Sequence, residues 1–504
     1  MSQSQPYTTI IGLEVHVQLL TQSKLFCGCS TRFGAPANTQ TCPVCTGMPG
    51  TLPVMNRRAF ELGLRTAVAL NCQIAKYTKW DRKQYYYPDL PKGYQISQYD
   101  LPFSSDGYLE IGDSKCRFER KRVGIIRAHL EEDAGKSMHD EKSGEADSKI
   151  DLNRAGTPLL EIVSQPDMRS PLEAAAYLDE LKLLLTYLGV SDCNMQEGSL
   201  RVDANVNLHV HQPDGHRIPT PIVEVKNMNS FRAVERALAY EAERQYEVFQ
   251  QTGQRLGQVP KQTRGWDDVE NITRAQRHKE ESSDYRYFPD PDLVPVTVTE
   301  EQIEAVREGL GELPADLRHR LELTYNITPY DSDVIVNKGR PLVEYYLELA
   351  ELCGDGKLAA NWVTQDVLRE LKDRNIGLEE YRQRIAQPAG LAELIKKVAA
   401  GELNTSRARE VLAMGVEAAA KGGAVLSGQA IVELIKSQGI EAVDDGTLVE
   451  LCRELVAANP KLVADVKAGK LQAAGAFVGQ AKKKNPNVNP GRVREICLEL
   501  IEKI

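Results

Sequence analysis

Four cysteines crowd one short stretch of this 504-residue chain: Cys27-Gly-Cys29, twelve residues, then Cys42-Pro-Val-Cys45. Closely spaced pairs each deliver two thiolates at little chain-closure cost, and four soft ligands in a tetrahedron are what Zn²⁺ prefers. Pro43 and Gly47 suit the tight knuckle turn between and after the second pair. Four sulfurs fill the coordination shell and leave no position for water, so the expected centre is structural rather than catalytic. The alternative is four free thiols in a loop without metal; the spacing favours zinc.

Carboxylates and imidazoles come next. Gly12-Leu-Glu14-Val-His16-Val-Gln18 reads as a strand, which puts Glu14, His16 and Gln18 on one face and Leu13, Val15 and Val17 on the other. A polar face of this kind suits a metal or phosphate site; a solvated face is the bland reading. In Arg127-Ala-His129-Leu-Glu131-Glu132-Asp133-Ala-Gly-Lys136 three adjacent acids repel one another unless a cation lies among them. Asp151-Leu-Asn153-Arg154 leads to Glu161, and Arg201, Asp203, Asn205 and Asn207 alternate with apolar residues. Singly, each is a common surface pattern. Several in one domain, with arginine beside carboxylate and amide, point to phosphate handling.

Two aromatic blocks accompany them. One runs Lys83-Gln-Tyr85-Tyr86-Tyr87-Pro-Asp89-Leu-Pro-Lys92-Gly93-Tyr94, the other Lys279-Glu280 through Asp284-Tyr285-Arg286-Tyr287-Phe288. Tyrosine beside arginine or lysine suits base stacking, with Tyr87 and Arg286 the candidates for nucleic-acid contact; packing against the core is the competing use. There is no P-loop, no dinucleotide-binding glycine fingerprint and no kinase motif set. If ATP is used, Mg²⁺ must be held by dispersed carboxylates.

The elements that position these residues divide the chain by character. Up to about residue 295, short β-type runs at Tyr7–Val17, Gly107–Gly112, Arg122–Leu130, Leu200–Val210 and Thr220–Val225 alternate with turn signals, and helices are expected at Pro171–Leu188 and Phe231–Gln251. That predicts an α+β fold: a large N-terminal domain on a mainly antiparallel sheet (1–295), then an all-α domain (296–404) and an all-α tail (405–504). Helical segments are expected at 300–309, 341–352, 358–373, 390–399, 405–419, 428–437, 446–457, 459–468, 470–483 and 489–503, the last capped by Asn489 and opened by Pro490.

Hydrophobic residues make up 42% and charged residues 26%, ordinary for a globular protein. No apolar run approaches the ~18 residues of a membrane helix, and the first residues carry no secretory pattern, so the cytoplasm is expected. The ten cysteines are then reduced thiols or metal ligands. Net charge is −9, yet residues 461–504 hold nine Lys/Arg against four acids, a local excess of +5. Such asymmetry favours a local nucleic-acid footprint over indiscriminate coating.

The stretches GLEVHVQL, CPVCTGMPGTLPVMN, YYYPDLPKGYQISQYDLP, HLEEDAGK, NRAGTPLLEIV, VEVKNMNS and DYRYFPDPDL, in this order, closely resemble the B-subunit family of bacterial and organellar aspartyl/glutamyl-tRNA amidotransferases. Gln276 and His278 depart from the family's usual Met and Ser. The resemblance implies a heterotrimer in which a small C subunit braces an amidase A subunit that releases ammonia from glutamine. The B subunit would bind Glu-tRNA(Gln) and Asp-tRNA(Asn), phosphorylate the side-chain carboxylate with ATP and Mg²⁺, and form the amide. It further implies Glu14, His16 and Glu131 as magnesium ligands, Glu161, Arg201 and Asp203 at the cofactor, and Lys83 and Lys92 along an ammonia path. In the tail, whose family resemblance spans about 355–504, Lys482, Lys483 and Lys484 would meet tRNA phosphates, with a solvated lysine cluster as the plainer reading.

No amidase Ser-Ser-Lys arrangement and no N-terminal cysteine nucleophile is present, so a partner must supply ammonia. Three rivals remain: a non-catalytic tRNA-binding scaffold, a synthetase (though no HIGH- or KMSKS-type segment occurs), and a zinc hydrolase, which four cysteine ligands disfavour.

Overall fold

The computed structural model describes residues 6–139, 148–276, 285–438, 445–468, 470–485, 488 and 490–503. Arg277, His278, Lys279, Glu280, Asp284 and the expected cap Asn489 lie outside them. By internal contacts the chain divides into Met1–Ala315 and Asp316–Ile504.

The first unit is built on β1 (Tyr7–Gln18), whose residues Ile11, Leu13, Val15 and Val17 are essentially inaccessible. Strands β2 (Gln73–Ile74), β3 (Ser104–Ile111), β4 (Lys121–Glu132), β5 (Pro158–Ser164), β6 (Leu200–His211), β7 (Arg217–Pro219), β8 (Val223–Lys226), β9 (Gln262–Asp267) and β10 (Ile272–Ala275) complete the sheet. The order is β10-β9-β8-β6-β1-β5-β4-β3-β2, with β7 beside β6. Only the β8–β9 pair is parallel among the described strands. The mainly antiparallel α+β reading therefore holds.

Three helices serve the apolar side of this core: α1 (Arg57–Ala69), α2 (Pro171–Tyr187) and α3 (Phe231–Thr252). Ser170 and Ser230 cap α2 and α3 by accepting from Glu173 N and Ala233 N, and Pro171 opens α2, as their sequences signal. Helix α1 is not among the elements that periodicity predicts. Asn56 caps it, but Gly63 interrupts its apolar run. A Cβ at Gly63 would sit 3.3 Å from Phe103 and 3.4 Å from Leu130, so that glycine trades helix propensity for close packing. Strand β5 is likewise unforeseen, because Pro158 and the acidic neighbours obscure its short apolar run.

Among its described residues the second unit is built of helices joined by short turns, with an isolated β-bridge between Ala386 and Leu426. Helices at Pro314–Tyr325, which spans the division, and at Pro329–Val336 and Leu378–Arg384 add to the expected set. In the first two the proline that reads as a break is the helix start. The expected 358–373 helix is interrupted by a π-turn at Val363–Val367. The 470–483 segment splits into a 3₁₀ turn (Leu471–Ala474) and a helix (Gly475–Lys484). The last helix, Pro490–Glu502, buries Val493, Ile496, Cys497 and Ile501 in a core shared with Leu448, Cys452 and Phe477.

Candidate active site and metal centre

Antiparallel register brings distant polar residues into rows across one sheet face. Arg201 on β6 lies opposite His16 on β1, His16 opposite Glu161 on β5, and Glu161 opposite His129 on β4. The adjoining row places Asp203 opposite Glu14. Period-two alternation keeps all these side chains on the side away from Leu13, Val15 and Val17.

The chemistry concentrates where β1, β5 and β4 meet. His16 Nε2 lies 3.7 Å from Glu131 Oε1 and 3.9 Å from Glu161 Oε2, and His129 Nε2 lies 3.3 Å from Glu161. One ligand atom each from His16, Glu131 and Glu161 falls within 4.8 Å of the others. Burial, reinforced by Glu161, pushes the Glu131 carboxyl up to about 8. Burial also raises Glu161, but His129 and His16 overcome it and hold that carboxyl well below its usual range. Burial lowers His16, more than Glu161 and Asp203 raise it, so the imidazole is neutral. Neutral imidazole is the form that ligates metal.

The three consecutive acids of β4 and its exit are separated by geometry. Glu131 joins the cluster. Strand alternation turns Glu132 the other way, into a buried ion pair with Lys92. Asp133 accepts from Gln18 Nε2 at 2.7 Å and from both terminal nitrogens of Arg201 at 2.9 and 3.1 Å, with Arg154 Nε 3.5 Å away. Burial pushes Asp133 up, but the two guanidiniums prevail and keep it ionised.

His16, Glu131, Glu161, Asp133, Arg154 and Arg201 line a cavity of about 750 Å³. Glu14 lines it too, with its carboxylate accepting from Asn205 Nδ2 at 2.8 Å, as does Asp203, paired with Lys226 at 2.5 Å. Both stand outside the three-residue group. Lys83 lines the wall, its ammonium 4.9 Å from the centre of the Tyr285 ring. Lys92 lies elsewhere, on Glu132. Gln276 also lines the cavity. At the aromatic blocks, Tyr87 packs edge-on to Tyr85 and is half-exposed, and Arg286 sits between Tyr285 and Tyr287, themselves edge to face. In the helical unit, Lys482, Lys483 and Lys484 form the last turn of Gly475–Lys484, and Lys484 pairs with Glu454 at 2.8 Å.

The cysteines gather as expected. Sulfurs of Cys27, Cys29, Cys42 and Cys45 lie within 4.8 Å of one another, compatible with a tetrahedron whose metal–sulfur bonds are about 2.3 Å. Gly47 closes the knuckle at φ +71°, and a Cβ there would lie 2.6 Å from Lys92 Cγ. Against the centre stands a residue that no motif singles out. Lys24 is fully buried and donates to Gln40 O at 2.8 Å, Leu152 O at 3.3 Å and Cys45 Sγ at 3.6 Å. Sequence alone assigns no separate role to His129, Asp133 or Arg154, although their motifs stand out, and it does not distinguish Lys226 at all.

Comparison with known proteins decides the family. Residues 9–304 match the GatB/GatE catalytic domain, and residues 344–501 match the GatB domain. The chain belongs to the amidotransferase B-subunit family. It is 58% identical to the B subunit of the aspartyl/glutamyl-tRNA(Asn/Gln) amidotransferase of Rhodopirellula baltica over 502 residues, covering 100% of this chain and 98% of that relative. The B subunits of Thermosynechococcus vestitus and Moorella thermoacetica are 48% and 45% identical, covering 96% and 98% of this chain and 94% and 99% of theirs. As for membranes, no described helix is long and apolar enough to cross one.

Proposed function

We propose that this chain amidates Glu-tRNA(Gln) and Asp-tRNA(Asn) with ATP, using ammonia that an amidase A subunit releases from glutamine within a heterotrimer completed by a small C subunit. The observation that carries this reading is the His16–Glu131–Glu161 group inside a cavity also walled by Arg154, Arg201, Lys83 and Lys226. Acids that hold a cation beside bases that meet phosphate are what ATP chemistry on a carboxylate requires.

A side-chain carboxylate is a poor electrophile because its charge repels nucleophiles. Transfer of the terminal phosphoryl group of ATP forms an acyl phosphate and releases ADP. Ammonia then attacks the carbonyl carbon, the C–N bond forms, the C–O bond to phosphate breaks, and the nitrogen gives up a proton. A walled cavity protects the acyl phosphate from water.

Two carboxylates and a neutral imidazole fit a divalent cation that keeps water in its other positions. On the neighbouring strands, His129 Nδ1 and Asn205 Oδ1 are buried with no hydrogen-bond partner among the described residues. Mg²⁺ there would neutralise phosphate charge; Glu14 and Asp203 complete the acidic wall. Arg201 and Arg154 would orient phosphate oxygens, their direction fixed by Asp133. Lys83, and Lys92 beyond it, remain our candidates for the ammonia path. The cysteine group fits structural Zn²⁺.

We also retain 1–295 as the catalytic domain, 296–404 as a helical domain and 405–504 as a tRNA-binding tail, with Lys482, Lys483 and Lys484 on phosphates and Tyr87 and Arg286 near the acceptor end. A cytoplasmic location agrees with a tRNA substrate.

The test is reconstitution with an amidase partner, ATP, charged tRNA and glutamine labelled in its amide nitrogen. Label in the side-chain amide of the aminoacyl-tRNA, lost with Glu131→Gln while tRNA binding persists, is the expected result. Activity undiminished by that change would leave this chain as a tRNA-binding scaffold.

A further inference from the structure

Lys24 is a charged side chain with no access to solvent. A buried ammonium persists only where its charge is compensated and all three protons are bonded. Its protons are accounted for by two carbonyl oxygens and one sulfur, and among the described residues no carboxylate pairs with it. Carbonyl dipoles alone leave a unit charge in the interior. Four neutral thiols would not help. Four thiolates around a divalent cation carry a net charge of −2, and Lys24, in contact with Cys45, stands where that excess would be felt.

We infer that Lys24 is the counter-ion of the four-cysteine centre and sets how firmly it holds a divalent metal. The inference rests on the reading of the cysteines as a metal site. The same ammonium bonds Leu152 O, and Leu25 N donates to Gly156 O at 2.9 Å, so both ends of the Leu152–Gly156 loop are tied to the segment that carries Lys24. Arg154 projects from that loop to the cavity wall. Lys24 is thus a positioning residue: it touches no reacting atom, but it joins the centre to the loop that presents a phosphate-facing arginine.

The test compares the purified full-length chain with its Lys24→Met variant, whose unbranched side chain is one atom shorter and carries no charge. Metal content of the unaltered chain comes first. About one zinc per chain upholds the metal reading, and none refutes it, whatever the variant does. With zinc present, release to a chromogenic chelator should be about 10–100-fold faster in the variant, the usual cost of losing an outer partner of a metal ligand. After exchange with Co²⁺, the thiolate-to-metal charge-transfer band should move to longer wavelength, because the N–H donor to sulfur is gone. Melting of the metal-free proteins separates charge from packing. Removing an uncompensated buried charge should leave the metal-free variant at least as stable as its parent. Unchanged release and an unchanged cobalt band, or a variant that melts earlier in both states or fails to fold, would overturn the assignment.

Discussion

Glu161 faces His16 directly across the β1–β5 pair and His129 across β5–β4, so one carboxylate is held between two imidazoles that lie far apart in the chain. That single register decides which acids converge. Glu161, and not Glu14, stands with His16 and Glu131 in the group able to hold a cation.

Replacing Glu161 or Glu131 by Gln should lower amide formation about 10²–10³-fold at saturating tRNA, the scale of losing a group that fixes transition-state charge. The tRNA dissociation constant, read by filter binding, should change less than about threefold, since neither residue is one of the basic groups assigned to tRNA phosphates.

The Glu131 proton should be exchanged for metal. Its carboxyl, raised from 4.5 to about 8, is protonated in the folded chain where the unfolded chain has lost the proton. The folded state therefore binds more protons, and stability falls as pH rises through this window. His16, lowered from 6.5, works in the opposite sense only below that value. Above it, the Glu131 contribution in the metal-free chain should fall by about 1.4 kcal/mol per pH unit until the folded value is passed. Saturating Mg²⁺ or Mn²⁺ should abolish the decline, and calorimetry in two buffers near pH ~7 should show about one proton released per cation bound. Glu131→Gln should remove both effects.

Asp133→Asn leaves Arg201 and Arg154 facing each other without the charge between them. Breaking such a buried pair costs about 3–5 kcal/mol when both partners are enclosed. Both arginine side chains are about one-third exposed, at 33% and 32%, so solvent softens the loss. A destabilisation of about 2–3 kcal/mol in urea unfolding of the first unit is expected. The Michaelis constant for ATP should rise as well.

Lys482→Ala combined with Lys483→Ala should weaken tRNA binding and flatten its salt dependence by about 1–2 in the slope of log K against log salt. Turnover at saturating tRNA should be unchanged. An unaltered slope would assign these lysines to a solvated surface.

What can be read from sequence depends on range. The alternation of Glu14, His16 and Gln18 is local, and so are the cysteine spacing and the caps at Ser170 and Ser230; each is legible because one segment carries the whole signal. The pairing of β1 with β5 and β6 is not local. Nothing in residues 7–18 says which of the later acids will lie opposite His16. Hence sequence ranks Glu161 behind Glu14 and gives His129 no role. The run Glu131-Glu132-Asp133 looks like one acidic cluster, but alternation and the strand's end send its members to three different partners. Lys24 leaves no trace at all, because a single lysine beside a leucine looks like surface until its burial is seen.

The position of β1 carries a consequence for synthesis. It leaves the ribosome well before its two neighbours, for it lies between β5 and β6, which begin at Pro158 and Leu200. At roughly 5–20 residues per second, both neighbours are complete only about 10–40 s after β1 appears. Until β5 emerges, Ile11, Leu13, Val15 and Val17 have no neighbouring strand to pair with, and a nascent chain stalled before His211 still presents an adhesive edge. Chaperone demand should therefore peak mid-translation and fall once β6 emerges.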